Sequence, residues 1–176
     1  MINFLLTKLR DIFMYKPVVK DYLTVQIPTP EDYSYVQKDE TMNARKMREM
    51  HHTLIDHRDW PFEYFTPEEI ACKGTGLILI DFDAISKLDE LRDIIKEPFS
   101  PNSAYRSAVH NKNIGGSRNS MHLQGKAFDI PIKGKMTREK LHIVADHVGF
   151  TGIGDYDTFV HVDTGRKRYW DKRTGA

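Results

Sequence analysis

The sequence lacks several features that would point to particular classes of protein. It has one cysteine, Cys72, so it forms no internal disulfide and holds no paired-thiolate zinc site. No apolar run approaches the roughly 20 residues that a membrane-spanning helix needs. The net charge is only +1, so charge does not select a nucleic acid or any other charged partner. We therefore expect neither a disulfide framework nor a membrane span.

The first 60 residues differ from the rest of the chain. Residues 2–14 place their apolar side chains on one helical face, prolines interrupt residues 15–38, and helical spacing returns over residues 40–57. The apolar start looks like a signal peptide, but Lys8 and Arg10 interrupt it and no small-residue cleavage site follows. We expect synthesis in the cytoplasm without a signal peptide. Residues 1–60 are predicted to be an attachment segment of helix, extended connector and helix, ahead of a domain at residues 61–176.

Residues 61–176 alternate between helical and strand patterns. Apolar residues recur at helical spacing over residues 83–96 and 137–148, which predicts two amphipathic helices. Strands are predicted at residues 126–132 and in two segments around the turn at residues 155–158. Residues 99–107 are predicted to be a strand that runs into a loop. Residues 77–80 either form a short strand or lead into a helix. The pattern predicts an α+β fold in which helices flank a small antiparallel sheet. A helical and extended appendage precedes this domain at the N-terminus.

Polar side chains occupy positions where a strand would otherwise favour apolar ones. His122 lies at the end of a loop, Asp129 in the strand that follows, and His161 in a later strand. A catalytic zinc takes three protein ligands from His, Asp or Glu and leaves one position open for water. Two imidazoles and a carboxylate suit zinc better than magnesium or calcium, which prefer oxygen ligands. We therefore single out His122 and His161 from the eight histidines and predict that they bind zinc with Asp129.

Four motifs, in order along the chain, resemble those of a known family. The run from Ser120 to Asp129 reads S-x-H-x-x-G-x-A-x-D, which resembles the signature of zinc D-Ala-D-Ala carboxypeptidases and related L-Ala-D-Glu and murein endopeptidases. FVHVDTG resembles the H-x-D form of the family's later strand, NSAYRSAVHN its upstream Y-R-S motif, and FTPEEIACKGTG the start of one branch of the domain. Residues 62–170 thus resemble the M15-type peptidases, whose fold is shared with hedgehog signalling domains.

The resemblance implies a role for each matching residue. The three ligands would hold a zinc ion that activates water for attack on a peptide carbonyl. Arg106 would steady the carbonyl oxygen as negative charge develops on it. Tyr105 would contact the substrate, and Ser120 would contact the substrate or the residues around the metal. The implied reaction is hydrolysis of peptide bonds in bacterial peptidoglycan, in stem or cross-link peptides that contain D-amino acids.

The carboxylate that would take the proton from the attacking water is not at the family's usual position. Many members carry it three residues before the last metal-binding histidine, where this chain has Thr158. Asp163 lies two residues after His161 and therefore on the same strand face. Asp155 corresponds to the position used in hedgehog-type domains, and Asp157 lies in the same turn. We favour Asp163 as the catalytic base, with orientation of His161 as its alternative role.

Two other functions compete with the peptidase. Thr158 stands where the family usually has a carboxylate, and the resemblance does not cover residues 1–60. Both features favour a catalytically weak or inactive zinc-binding module that serves as a structural or attachment subunit. Cell-wall hydrolases without signal peptides are often phage proteins, so we expect a phage virion or release on lysis, with a virion or other protein partner bound through residues 1–60. The basic run RKRYWDKR at residues 166–173 is typical of phosphate binding, but we interpret it as a solvated tail and expect no nucleic-acid partner.

Overall fold

The computed structural model describes residues 49–175, and its helices begin and end where the sequence supplies caps. The helices are α1 (Pro67–Ile70), α2 (Phe82–Ile95), α3 (Ala108–Asn113) and α4 (Arg138–His147), with 3-10 turns at His52–Leu54 and Met121–Gln124. Asp81 caps α2 by accepting a hydrogen bond from the amide of Ala84 at 3.0 Å, and Thr137 caps α4 similarly. Lys96 ends α2 in the left-handed conformation, with φ of 58°. The helices predicted over residues 83–96 and 137–148 are confirmed.

The strands form two sheets. β1 (Glu49–His51) pairs antiparallel with β2 (Leu77–Leu79). The strands β3 (Ala127–Pro131), β4 (Gly152–Asp155), β5 (Phe159–Asp163) and β6 (Arg168–Asp171) form a second sheet in the order β3-β5-β4-β6. Its pairs are antiparallel except β4 with β6, which run parallel. The predicted α+β class with small antiparallel sheets and flanking helices is confirmed.

The four-stranded sheet has an apolar face and a polar face, because successive residues of a strand point to opposite sides. Four side chains of β3 and β5 are fully buried on one face, in the same core as the inward sides of α2 and α4: Phe128, Ile130, Val160 and Val162. The register pairs Asp129 with His161 and Ala127 with Asp163. These four residues share the opposite face, which we call the polar face.

Two segments differ from the sequence-based expectation. A helix was predicted over residues 40–57, but residues 49–57 form β1, a 3-10 turn and irregular backbone, because β1 finds its hydrogen-bond partners in β2. The run at residues 166–173, expected to be a solvated tail, contains β6. Tyr169 and Trp170 favour a strand, and β4 offers that strand an edge to pair with.

Residues 1–48 lie outside the described residues, and with them the helix expected over residues 2–14 and the connector after it. The division into an attachment segment at residues 1–60 and a domain at residues 61–176 stays a prediction, although the β1–β2 pair joins residues from both sides of that boundary. Over residues 49–175, no helix is long and apolar enough to cross a lipid bilayer.

Candidate metal centre

Three buried side chains meet on the polar face of the sheet. His122 comes from the 3-10 turn before β3, Asp129 from the middle of β3 and His161 from the middle of β5, and their exposed fractions are 2 %, 5 % and 7 %. Gly125 ends the turn after His122 with φ of 69°, and a Cβ there would lie 2.5 Å from the carbonyl oxygen of Leu79. This close approach requires glycine. The structure thus brings the three predicted ligand residues together.

The three side chains direct one atom each into a shared space. Nε2 of His122 lies 3.2 Å from Oδ1 of Asp129 and 3.3 Å from Nδ1 of His161. Nδ1 of His161 lies 2.9 Å from the same carboxylate oxygen. Ligands on a tetrahedral ion with bonds of about 2.0 Å are about 3.3 Å apart, so this triangle has the size of a zinc ligand set. Within residues 49–175, no other group of three or more His, Cys, Asp or Glu side chains is placed to share a metal ion.

The second nitrogen of each histidine is held by a neighbouring acceptor. Nδ1 of His122 lies 2.6 Å from the carbonyl oxygen of Ala104, which accepts only, so this nitrogen carries the proton. Nε2 of His161 lies 3.0 Å from Oδ2 of Asp163 and donates to it. These contacts leave Nε2 of His122 and Nδ1 of His161 as the two nitrogens that face Asp129.

Arg106 lies beside the carboxylate of the cluster. Its Nη2 donates to Oδ2 of Asp129 at 2.5 Å, and its Nε donates to Oγ of Ser103 at 2.7 Å. The Arg106 side chain is 17 % exposed, so water screens its charge only in part. The structure therefore places Arg106 at the cluster, as predicted. Its Nη2 group is used to orient Asp129. Its contact with a substrate carbonyl stays a prediction.

Burial and pairing shift the protonation equilibria of the three residues in different directions. Burial lowers the pKa of His122. Burial alone would raise the pKa of Asp129, but hydrogen bonds from the two histidines outweigh it and hold that pKa well below its usual range. Burial also opposes a charge on His161, yet hydrogen bonds to Asp129 and Asp163 raise its pKa. Metals bind neutral histidines, so metal binding at Nδ1 of His161 competes with protonation of that nitrogen.

Asp163 lies behind His161 and not beside the three facing atoms. It accepts from Nε2 of His161, whereas the cluster lies at Nδ1, and its side chain is 0 % exposed. Arg168 donates to both of its oxygens, and the amide of Gly165 donates to Oδ1 at 2.8 Å. Burial opposes ionisation, but these bonds lower the pKa of Asp163 to about 2. A buried carboxylate with both oxygens occupied favours orientation of His161 over the predicted role of general base.

The two alternative carboxylates also point away from the cluster. Asp155 pairs with Val160, so its side chain lies on the apolar face, where Arg138 donates to it at 2.7 Å. Asp157 lies in the turn between β4 and β5 and accepts from the amide and hydroxyl of Thr174 at 2.9 and 2.8 Å. Within residues 49–175, none of the candidate bases thus faces the three clustered atoms.

The two predicted substrate contacts differ in their surroundings. Tyr105 is buried, its hydroxyl donates to Oε1 of Glu49 at 2.5 Å, and its ring packs with Cys72 and Leu79. This placement favours an anchoring role for Tyr105. Ser120 is half-buried, directly precedes the turn that carries His122 and makes no capping hydrogen bond with its side chain. Its contact with substrate stays a prediction.

Two residues of β6 that contact the centre were not among the predicted site residues. Arg168 pairs with Asp163, and the ring centroid of Trp170 lies 5.2 Å from that of His161. Their signal is the two-residue spacing within R-Y-W-D, which places Arg168 and Trp170 on one strand face. The basic residues around this segment favoured its interpretation as a tail.

The segment that carries the three clustered residues matches a family model. Residues 63–163 match the model described as Peptidase M15. Over 73 residues the chain is 40 % identical to the probable peptidoglycan L,D-endopeptidase MepK of Haemophilus influenzae, a stretch that covers 38 % of this chain and 39 % of that protein. The matched stretch thus spans less than half the length of this relative. Because the family match covers more than half of the 176 residues and includes the whole cluster, the chain belongs to the M15 peptidase family.

Proposed function

We propose that this chain is a zinc-dependent peptidase that hydrolyses peptide bonds of bacterial cell-wall peptidoglycan. The observation that carries the proposal is the buried triangle of His122, Asp129 and His161, whose donor atoms suit zinc in kind and in spacing. Family membership supports peptidase activity. The similarity to a probable peptidoglycan L,D-endopeptidase supports peptidoglycan as substrate, and favours cleavage within a stem or cross-link peptide over removal of a terminal residue.

The residues around the triangle would prepare it for this chemistry. A bound zinc ion would polarise the scissile carbonyl and lower the pKa of the attacking water. Ala104 and Asp163 hold the two histidines in the orientation that binding requires, so little rearrangement is needed. Arg106 fixes Asp129 and places a positive charge next to the ligand set. We assign to this charge the stabilisation of the carbonyl oxygen as it becomes negative.

Digestion of purified peptidoglycan by zinc-loaded protein, with and without a chelator, tests the proposal. Mass spectrometry of the soluble fragments should show chelator-sensitive release of peptides, and the new termini identify the bond. His122→Ala should abolish this release. His57→Ala removes an exposed histidine outside the cluster and should leave the release unchanged. Wild-type protein that binds zinc and releases no peptide would contradict the peptidase.

A second function, a zinc-binding module without hydrolytic activity, is favoured by one observation. Within residues 49–175, the carboxylates of Asp155, Asp157 and Asp163 all point away from the three clustered atoms. Such a module would retain one zinc ion per chain and would act as a structural or attachment subunit. Both functions predict zinc binding, and only the peptidase predicts release of fragments, so the digestion separates them.

The cellular setting stays a proposal from the sequence. It comprises a place in a phage virion or release on lysis, and a protein partner bound through residues 1–60. Detection of the chain in purified virions by mass spectrometry would support the virion, and its absence from virions of a phage that encodes it would contradict it.

A further inference from the structure

Strand β6 places two side chains on the polar face, next to the metal centre. It runs parallel to β4, and the register puts Arg168 beside Gly152 and Trp170 beside Gly154. The same two glycines pair with the residues of β5 that belong to the polar face. Arg168 and Trp170 therefore point to the face that carries His161. Both lie beyond the stretch that matches the family model.

Arg168 reaches β5 because β4 has no side chain in its path. A Cβ on Gly152 would lie 2.5 Å from both carboxylate oxygens of Asp163 and 2.6 Å from Nη1 of Arg168. A Cβ on Gly154 would lie 2.2 Å from Cε2 of Trp170. Cβ atoms do not approach other atoms so closely, so a larger residue at either position would displace the side chain from β6. The two glycines of β4 are thus required for the contact between β6 and β5.

Arg168 holds both oxygens of Asp163. Nη1 donates to Oδ1 at 3.0 Å and Nη2 donates to Oδ2 at 2.5 Å, a fork that a guanidinium supplies and an ammonium group does not. The Asp163 side chain is fully buried and that of Arg168 is 29 % exposed. Oδ2 is also the oxygen that accepts from Nε2 of His161. The fork therefore fixes the rotation of the carboxylate at the atom that orients His161.

Trp170 packs against the same group of side chains. Its ring lies next to His161, and the guanidinium carbon of Arg168 lies 4.8 Å from its ring centroid. Its Nε1 donates to the hydroxyl of Tyr156 at 3.3 Å, which restrains the ring. The indole therefore packs against both Arg168 and His161 and adds a cation–π contact with the guanidinium.

We propose that Arg168 is a positioning residue for the metal centre: it locks both oxygens of Asp163, and Asp163 in turn holds His161 with Nδ1 facing Asp129. The inference rests on the proposed function, because it concerns metal binding by the same three residues. Without the fork, only the amide of Gly165 still donates to Oδ1, so Asp163 gains rotational freedom and holds His161 less firmly with Nδ1 facing Asp129. Residues that hold metal ligands in place contribute roughly 10- to 100-fold to metal affinity. Arg168 acts through Asp163, so we expect a loss at the lower end, about tenfold.

Two measurements on the full chain test this role. Competition with a chromophoric chelator gives the zinc affinity, and nitrogen-edited NMR of metal-free protein gives the exchange rate of the proton on Nε2 of His161. Arg168→Met should lower zinc affinity about tenfold and accelerate the exchange. Arg168→Lys keeps the charge without the fork and should give intermediate values. Arg173→Met is the matched control, because Arg173 pairs with Asp171 at the end of the same strand, and it should change neither quantity.

The outcomes separate positioning from general support of the fold. A folded Arg168→Met variant with unchanged zinc affinity and unchanged proton exchange would overturn the proposal. Equal losses in Arg173→Met would also overturn it, because the effect would then come from loosening of β6 as a whole. If circular dichroism shows that Arg168→Met does not fold, Arg168→Lys gives the decision with the same two readouts. If wild-type protein binds no zinc, the proposed function fails. The exchange rate of the proton on Nε2 of His161 then decides alone whether Arg168 positions this ring.

Discussion

Asp163 was predicted to be a catalytic base, whereas its contacts favour orientation of His161, and Asp163→Ala separates the two roles. The substitution removes the acceptor that lies 3.0 Å from Nε2 of His161 and both carboxylate oxygens that accept from Arg168. Loss of an orienting carboxylate should lower zinc affinity about 10- to 100-fold, or about 1.4–2.7 kcal/mol. Zinc at saturating concentration should then restore kcat to within about tenfold of wild type, because the ligand atoms themselves are intact.

A general base would give the opposite pattern. Zinc affinity would be unchanged, and kcat would fall about 100-fold or more at every zinc concentration. The assay is kcat on peptidoglycan fragments over a series of buffered free zinc concentrations, combined with a direct measurement of zinc affinity. Asp146→Ala is the control, since it removes an exposed carboxylate of α4 outside the metal centre, and it should change neither quantity. Wild-type zinc affinity together with a 100-fold loss of kcat in Asp163→Ala would refute the orienting role.

Substitutions of two residues at the metal centre and of one buried ion pair elsewhere in the domain give separate tests. His122→Ala should abolish retention of one zinc ion per chain after dialysis, measured by mass spectrometry of metals, and a retained ion would contradict the ligand assignment. Arg106→Met should lower kcat about 100-fold if its charge stabilises the carbonyl oxygen, and a wild-type kcat would remove it from that role. Asp155→Asn should lower the free energy of unfolding by about 3 kcal/mol at pH 7, because it breaks a buried pair with Arg138. Burial opposes ionisation of Asp155, but hydrogen bonds from Tyr169 and Arg138 lower its pKa. The stability difference should therefore be present above the ordinary Asp pKa of about 3.9 and disappear as the pH falls through the lower pKa of the folded protein. Urea denaturation at pH 7 and pH 3 checks this, and a difference that persists in full at pH 3 would contradict it.

Elements with a strong local signal were predictable from the sequence. Both longer helices carry a cap and apolar residues at helical spacing, and β3 and β5 alternate between buried apolar residues and the clustered polar ones. The positions of His122 and Asp129 follow from a motif in which Gly125 makes the turn between them, and the alternation in β5 places His161 on the same face. Short-range spacing thus indicates the faces on which the three residues lie, and the pairing of β3 with β5 brings His161 to Asp129.

The remaining features depend on pairing between distant segments. β1 is a strand because it meets β2, and β6 is a strand because β4 offers it a free edge. The orientation of Asp155 depends on register: its neighbour Gly154 pairs with His161, so Asp155 falls on the opposite face. A shift of the β4–β5 register by one residue would place Asp155 on the other face, and a single sequence does not specify this register. The same pairing of β6 with β4 brings Arg168 to Asp163, a contact that no local pattern predicts.

The most direct test of the metal centre is anomalous diffraction at the zinc absorption edge from crystals of the full chain grown with zinc. We predict one peak per chain, about 2.0–2.2 Å from Nε2 of His122, Oδ1 of Asp129 and Nδ1 of His161. A crystal structure with no peak between these atoms, or with zinc bound only at other side chains, would contradict the proposal that they form the metal centre.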